Sequence, residues 1–218
     1  MVTALLAGAN RDAMDRERLL YGDWNPWVRD PIDVLRYCFI GATLVYWGLG
    51  RSTAIGLTAA SLVLILARLI NLPRLYDLML MFGMVLIAFG TALNLYGRID
   101  HYDKFVHGLS PLMWSPVLYI VCVRLEILPD LGHSRAAHHL FGMFLVTLAF
   151  GAAVGAGYEV CEWTLDGLFP HWHLVKGEWD TATDLLADFI GAGLGGLSLV
   201  MWSVWGWGTV RRIPGERV

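Results

Sequence analysis

The sequence predicts an all-α fold: a polytopic membrane helical bundle of about six transmembrane helices. Apolar residues make up 56% of the 218 residues and charged residues only 16%, whereas soluble domains carry about a quarter charged residues. The apolar residues also form six long blocks that contain no Asp, Glu, Lys or Arg. Because a helix needs roughly 20 such residues to cross the hydrocarbon layer, each block predicts one span.

The six blocks differ in length, and the last four are long enough to cross a membrane unaided. In chain order they are Tyr37–Gly50, Ser52–Ala67, Leu78–Gly97, Phe105–Val123, Ala136–Tyr158 and Phe189–Val210. The first two are short, and we expect Arg36, Arg51 and Arg68 to snorkel from their ends and lengthen them. The chain then divides into a polar, amphipathic N-terminal segment (1–31), a six-helix transmembrane domain (32–210) and a tail (211–218).

The basic residues predict the direction in which the chain crosses the membrane. Eleven of the 16 Lys and Arg residues lie in the termini and in the loops on the same side, against four in the loops on the opposite side. Because short loops rich in Lys and Arg stay in the cytoplasm, we expect both termini to be cytoplasmic. The net charge of −3 argues against a nucleic-acid partner.

Acidic residues and histidines gather on the opposite, outer side, at the ends of three spans. Within each span their spacing of three or four residues places them on one helix face. These sets are Asp103 with His107, Glu159 with Glu162, and Asp180 with Asp184 and Asp188. Ionisable groups that continue into apolar spans are costly and usually face the interior of a bundle, so we expect them to point inward.

Glycines extend two of these polar faces into the membrane. Gly151 and Gly155 precede Glu159 at intervals of four in the fifth span, and Gly191 and Gly195 follow Asp188 in the sixth. Small residues at this spacing let membrane helices approach closely. We therefore expect the fifth and sixth helices to pack through these glycines, which would bring the carboxylates of three helices into one site.

Several carboxylates held together must gain a proton or a neutralising cation. A mixture of Asp, Glu and His suits a divalent metal such as Zn, Mn or Fe. The predicted metal ligands are Asp103, His107, Glu159 and Asp184, and the predicted catalytic residues are Glu162, Asp180 and Lys104. In this hypothesis a carboxylate such as Glu162 shuttles protons, and Lys104 or Arg98 holds a phosphate. A proton or ion pathway and a structural hydrogen-bond network stay open as alternatives, and a ligand role for His171 and His173 is a weaker hypothesis.

Three stretches resemble the YjdF-like family of bacterial inner-membrane proteins, and their order resembles the wider VanZ-like group. They run from Tyr102 to Gly108, from Tyr158 to Trp163 and from Trp179 to Ala192. The resemblance covers roughly residues 95–200. It implies a multi-pass protein of the bacterial cytoplasmic membrane with no agreed reaction. By motif position it favours Asp103, His107, Glu159, Glu162, Asp180 and Asp184 as site residues. Asp188 departs from the small residue of the YjdF-like pattern, so its role stays open.

The sequence leaves three functions open and does not decide whether the protein is an enzyme. The leading hypothesis is a site that acts on a lipid or lipid-linked head group, with a metal activating water in its hydrolytic version. The second is a small proton-coupled transporter, for which polar groups in the cytoplasmic half of the spans look scarce. The third is a non-catalytic subunit of a larger membrane complex. The expected partners are accordingly membrane lipids, a lipid-linked substrate or other membrane subunits.

Overall fold

The computed structural model describes Val28 and residues 31–70, 72–130, 135–169 and 175–205. Within these ranges the chain forms six α-helices, one 3₁₀ turn and no strand, which confirms the predicted all-α fold. The helices are α1 (Pro31–Gly48), α2 (Ala54–Ile70), α3 (Arg74–Ala92), α4 (Tyr102–Arg124), α5 (Ala137–Leu168) and α6 (Glu178–Val204), and the 3₁₀ turn is Leu95–Gly97.

Four of these helices, α3 to α6, are long and apolar enough to cross a membrane by length and composition. The α2 helix is apolar but shorter, with 17 residues. Large apolar side chains such as Leu186, Ile190 and Leu194 on α6 are exposed. A continuous exposed apolar face of this kind suits contact with lipid.

The described residues form two compact units, and the first extends to Phe82. Its most distinctive feature is a buried network of ion pairs. Arg36 of α1 contacts Asp33 one turn earlier and donates to Asp77 of α3 at 2.5 Å, while Nε of Arg68 on α2 lies 3.2 Å from Asp33. All four side chains are buried, so the network joins three helices.

This network corrects one expectation from the sequence. Arg36 and Arg68 do not extend outward from the ends of their spans, because carboxylates inside the unit hold their guanidinium groups. The carboxylate of Asp77 accepts a hydrogen bond from Arg36, 41 residues earlier, and the carboxylate of Asp33 accepts one from Arg68, 35 residues later. Neither contact has a helical spacing, so the local pattern gave no sign of them.

The second unit begins at Gly83, within α3, and its core is formed by α4, α5 and α6 packed against one another. Glycines allow these close approaches. A Cβ on Gly151 would meet Ala192 of α6 and Ser115 of α4, and a Cβ on Gly155 would overlap the carboxylate of Asp188. The expected contact of the fifth and sixth helices through Gly151 and Gly155 is therefore present.

The other half of the glycine prediction is wrong. Gly191 and Gly195 are buried against α4 and not against α5: a Cβ on Gly191 would overlap the carbonyl oxygen of Gly108, and one on Gly195 would overlap the hydroxyl of Ser115. The α6 helix instead meets α5 through neighbouring positions, including Ala192 and Gly196. One helix can present small residues to two partners, because residues one position apart lie about 100° apart around its axis.

Candidate functional site

The candidate site lies where the first turns of α4, the last turns of α5 and the first turns of α6 meet at one end of the second unit. The structure brings all seven predicted site residues together there, with Asp188 as an eighth member. This histidine–carboxylate cluster consists of Asp103, Lys104 and His107 from α4, Glu159 and Glu162 from α5, and Asp180, Asp184 and Asp188 from α6.

Local backbone features set where these helices begin. His101, just before α4, has a left-handed backbone with φ of 61°, and Asn94 before the 3₁₀ turn has φ of 54°; both residue types occur in this region more often than most. Gly177, just before α6, has φ of 115°, a conformation that glycine adopts without steric cost. These turns place Asp103 and Asp180 in the first turns of their helices.

His107 is the centre of the cluster, and only 3% of its surface is exposed. Its Nδ1 lies 3.3 and 3.4 Å from the two carboxylate oxygens of Asp188. Its Nε2 faces three other carboxylates, at 3.8 Å from Glu159, 3.9 Å from Asp184 and 4.0 Å from Asp103. Nε2 has no hydrogen-bond partner among the described residues, and neither has Oε1 of Glu159.

The contact with Asp188 decides the chemistry available at Nε2. Because a carboxylate only accepts hydrogen bonds, Asp188 selects the form of His107 that carries a proton on Nδ1. In the neutral ring Nε2 then presents a lone pair to the oxygens of Glu159, Asp184 and Asp103. Such an arrangement is repulsive unless Nε2 gains a second proton, one of these carboxyl groups is protonated, or a cation lies between these atoms.

Lys104 neutralises the opposite edge of the cluster. Its Nζ lies 2.6 Å from Oδ1 of Asp180 and 2.7 Å from Oδ1 of Asp184, and it also donates to the carbonyl oxygen of Asp180 at 3.2 Å. Lys176, which is far more exposed, lies 3.4 Å from Asp103. Both lysines of the site are thus already paired with carboxylates.

Two subsets of the cluster have the compactness of a metal site. One is His107, Glu159 and Glu162; the other is Asp103, Asp180 and Asp184; in each, one ligand atom per residue lies within 4.8 Å of the others. The ammonium group of Lys104 contacts two members of the second subset. The first subset has no such lysine contact among the described residues, and two of its buried atoms, Nε2 of His107 and Oε1 of Glu159, lack a hydrogen-bond partner. Oδ1 of Asp184, in the second subset, also lacks a well-aligned hydrogen bond but lies 2.7 Å from Nζ of Lys104.

A cavity of about 570 Å³ lies beside the cluster and shares Asp103, Lys104 and Asp180 with it. Its wall consists of Tyr96, Gly97, Ile99, Asp100, His101, Tyr102, Asp103, Lys104, Lys176, Trp179, Asp180 and Thr183. Burial raises the pKa of the Tyr96 hydroxyl above its usual value, so this group stays protonated. The cavity gives a ligand direct access to the edge of the cluster.

Sequence reasoning missed the part played by Asp188 and the aromatic residues around the site. Asp188 holds His107, and the ring of Tyr158 packs edge-on against His107 with centroids 5.2 Å apart. The four-residue step from Asp184 to Asp188 was the available signal. Arg98, the other residue predicted to hold a phosphate, does not line the cavity. His171 and His173, the weaker ligand candidates, lie outside the described residues.

Fold and site together define a multi-helix membrane protein with a buried histidine–carboxylate cluster. The family model described as "Predicted membrane protein (DUF2238)" matches residues 34–204, and the chain belongs to this family. It is also 28% identical over 102 residues to a protein of Thermotoga maritima named "Uncharacterized protein". That match covers 47% of this chain, and the chain spans about half the length of that relative, 49%. No solved structure matches the chain.

Proposed function

We propose that the chain binds a divalent metal through His107, Glu159 and Glu162 and acts on a lipid or lipid-linked head group. The observation that carries the proposal is the two-sided environment of His107. Asp188 holds Nδ1, while the unpartnered Nε2 faces carboxylates. Metal-binding histidines almost always donate their other N–H to a carboxylate, a carbonyl or water, and this contact fixes the tautomer and the orientation of the ring.

The distances support a cation more than direct hydrogen bonds. Nε2 of His107 and Oε1 of Glu159 are 3.8 Å apart, too far for a hydrogen bond, whereas Nδ1 and Asp188 are 3.3 Å apart, at the long end of hydrogen-bond distances. Two ligand atoms on a tetrahedral metal with bonds of about 2.1 Å are roughly 3.4 Å apart. A small movement of either side chain would therefore complete such a site.

The remaining residues suit hydrolysis. A divalent metal at His107 would lower the pKa of a bound water and so supply a nucleophile. Asp103 lies 4.0 Å from Nε2 and faces the cavity, where it could accept a proton. This assignment changes roles in the sequence hypothesis: Glu162 becomes a ligand, Asp103 becomes the proton acceptor, and Asp184, which contacts Lys104 at 2.7 Å, is no longer a ligand.

The proposed location is the outer face of the bacterial cytoplasmic membrane. It rests on the distribution of basic residues and on the resemblance to the YjdF-like and VanZ-like proteins, both of which remain predictions. In this location the cavity would open at the level of the lipid head groups.

Metal analysis of the purified full chain tests the proposal. We expect about one Zn, Mn or Fe per chain, at least a tenfold loss of metal affinity in His107→Ala, and a loss of roughly 10–100-fold in Asp188→Asn because that variant removes the supporting carboxylate. His138→Ala, which changes an exposed histidine at the other end of α5, should leave the metal content unchanged. A folded protein that takes up none of these metals would instead identify the cluster as a hydrogen-bonded structural network.

A proton-coupled transporter is the second candidate, because the structure adds an observation in its favour. Polar groups in the cytoplasmic half of the spans looked scarce in the sequence, yet Asp33, Arg36, Arg68 and Asp77 form a buried network in the first unit. The test is whether a gradient of a candidate substrate acidifies proteoliposomes that contain the protein. Acidification with the wild type but not with Asp77→Asn would favour this function over hydrolysis.

A further inference from the structure

The charges around the cavity beside the cluster do not suit the phosphate group that the sequence hypothesis placed at Lys104 or Arg98. Its wall carries three carboxylates, those of Asp100, Asp103 and Asp180, against the two lysines Lys104 and Lys176. Both lysines already contact carboxylates of the site. A phosphate in the cavity would have to displace these partners and would leave the carboxylates facing its own negative charge.

The carboxyl groups behind the cavity wall increase this excess of negative charge. Wall and cluster together contain seven carboxyl groups, and the only lysines among them are the same two. A divalent metal would bring the positive charges to four, and the balance stays negative even when two of the carboxyls carry protons. Opposite charges attract strongly where protein walls exclude water, so the cavity favours a ligand group with a positive charge.

Aromatic side chains in the cavity wall also favour a positively charged ligand group. Tyr96 and Tyr102 pack edge to face with ring centroids 5.0 Å apart, and Trp179 stands 82% exposed at the side of α6. The faces of aromatic rings attract ammonium groups, and Trp does so best. Carboxylates interspersed with aromatic rings are thus a suitable surface for an amine.

We propose that this cavity binds the ammonium group of a lipid head group. The substrate class is then a zwitterionic aminoalkyl phosphate lipid, whose ammonium lies near Asp100 and the aromatic wall while its phosphate reaches the metal at His107. The phosphate half of this assignment rests on the proposed metal site. The ammonium half rests only on the cavity.

Lipid binding to the full chain, measured by native mass spectrometry in detergent, tests the assignment. The probes are phosphatidylethanolamine and phosphatidylglycerol with identical acyl chains, and free ethanolamine. We expect phosphatidylethanolamine to bind roughly fivefold more tightly than phosphatidylglycerol, with Asp100→Asn and Trp179→Ala each removing most of that preference. Glu126→Gln removes a carboxylate from an exposed position just beyond the other end of α4 and should preserve the preference.

Four outcomes would overturn the proposal. Equal or tighter binding of phosphatidylglycerol, or displacement of phosphatidylethanolamine by inorganic phosphate, would assign the cavity to an anion. Free ethanolamine binding as tightly as the lipid would assign it to a soluble amine. An unchanged preference in Asp100→Asn and Trp179→Ala would place the lipid elsewhere on the protein.

Repeating the binding after treatment with a chelator separates this proposal from the proposed function. The preference for phosphatidylethanolamine should persist without metal, because Asp100 and Trp179 require none. A protein that takes up no metal from solution yet keeps the preference would refute the metal site alone, while a protein that binds metal but lacks the preference would refute the cavity assignment alone.

Discussion

Lys104 is the residue whose contacts distinguish the two compact subsets of the cluster. Its ammonium group lies between Asp180 and Asp184, at 2.6 and 2.7 Å, and so occupies a position that a metal ion could take in the subset of three aspartates. Under the proposed function, the cluster would hold one metal at His107 beside the ammonium group of Lys104. The lysine would then limit the site to a single metal.

Replacing Lys104 by Met tests that role, because the variant keeps the length of the side chain and removes its charge. We expect the variant to bind about one more divalent ion per chain than the wild type, since Asp180 and Asp184 would lose their counter-charge. Without metal its stability should fall by roughly 2 kcal/mol, less than for a fully buried pair, because Lys104 is 27% exposed. Metal content by mass spectrometry and thermal melting provide the two measurements.

Lys176→Met is the matched control, since Lys176 contacts Asp103 from a side chain that is 64% exposed. It should change neither metal content nor melting by much, because exposed ion pairs contribute little. If Lys104→Met and Lys176→Met bind the same amount of metal, the subset of three aspartates does not act as a cation site.

At the level of the helices, the close approach of α4 and α6 positions the cluster. Gly191 lies directly against the backbone carbonyl of Gly108, one residue after His107. A backbone oxygen cannot rotate away as a side chain can, so a methyl group at Gly191 must push the two helices apart. His107 and Asp188 lie on these two helices, and their contact depends on that approach.

Gly191→Ala is therefore expected to lower the melting temperature, at a cost of roughly 1–3 kcal/mol for an overpacked core position. Gly193→Ala is its control two residues away, where a Cβ meets nothing within 4 Å. That substitution should be neutral or stabilise the helix by roughly 0.5–1 kcal/mol. Equal melting temperatures for the two variants in the same detergent would contradict the packing of α4 against α6.

At the level of the whole molecule, the distribution of basic residues predicts the topology. Both termini should be cytoplasmic, because eleven of the 16 Lys and Arg residues lie on their side and positively charged loops resist translocation. A reporter fused after Val218 should behave as cytoplasmic, and one inserted near His171 as external. The reverse pattern would place the histidine–carboxylate cluster on the cytoplasmic side and exclude a substrate in the outer leaflet.

The sequence by itself determined the class of fold and which acidic and histidine residues share one helix face. Long apolar blocks predict helices because a membrane offers no other partner for backbone N–H and C=O groups. Helical periodicity then placed Asp103 with His107 and Asp180 with Asp184, since residues four apart share a face. These conclusions depend only on interactions within one helix, which the local sequence encodes completely.

Tertiary structure decided which helix covers each of those faces. It paired Nδ1 of His107 with Asp188, 81 residues away, turned Gly191 and Gly195 toward α4, and buried Arg36 with Asp77. Each of these contacts joins residues far apart in the chain, and periodicity gives the direction of a side chain around its own helix only. The partner on that side depends on how all the helices pack, because a close approach requires complementary shapes and charges from both surfaces at once.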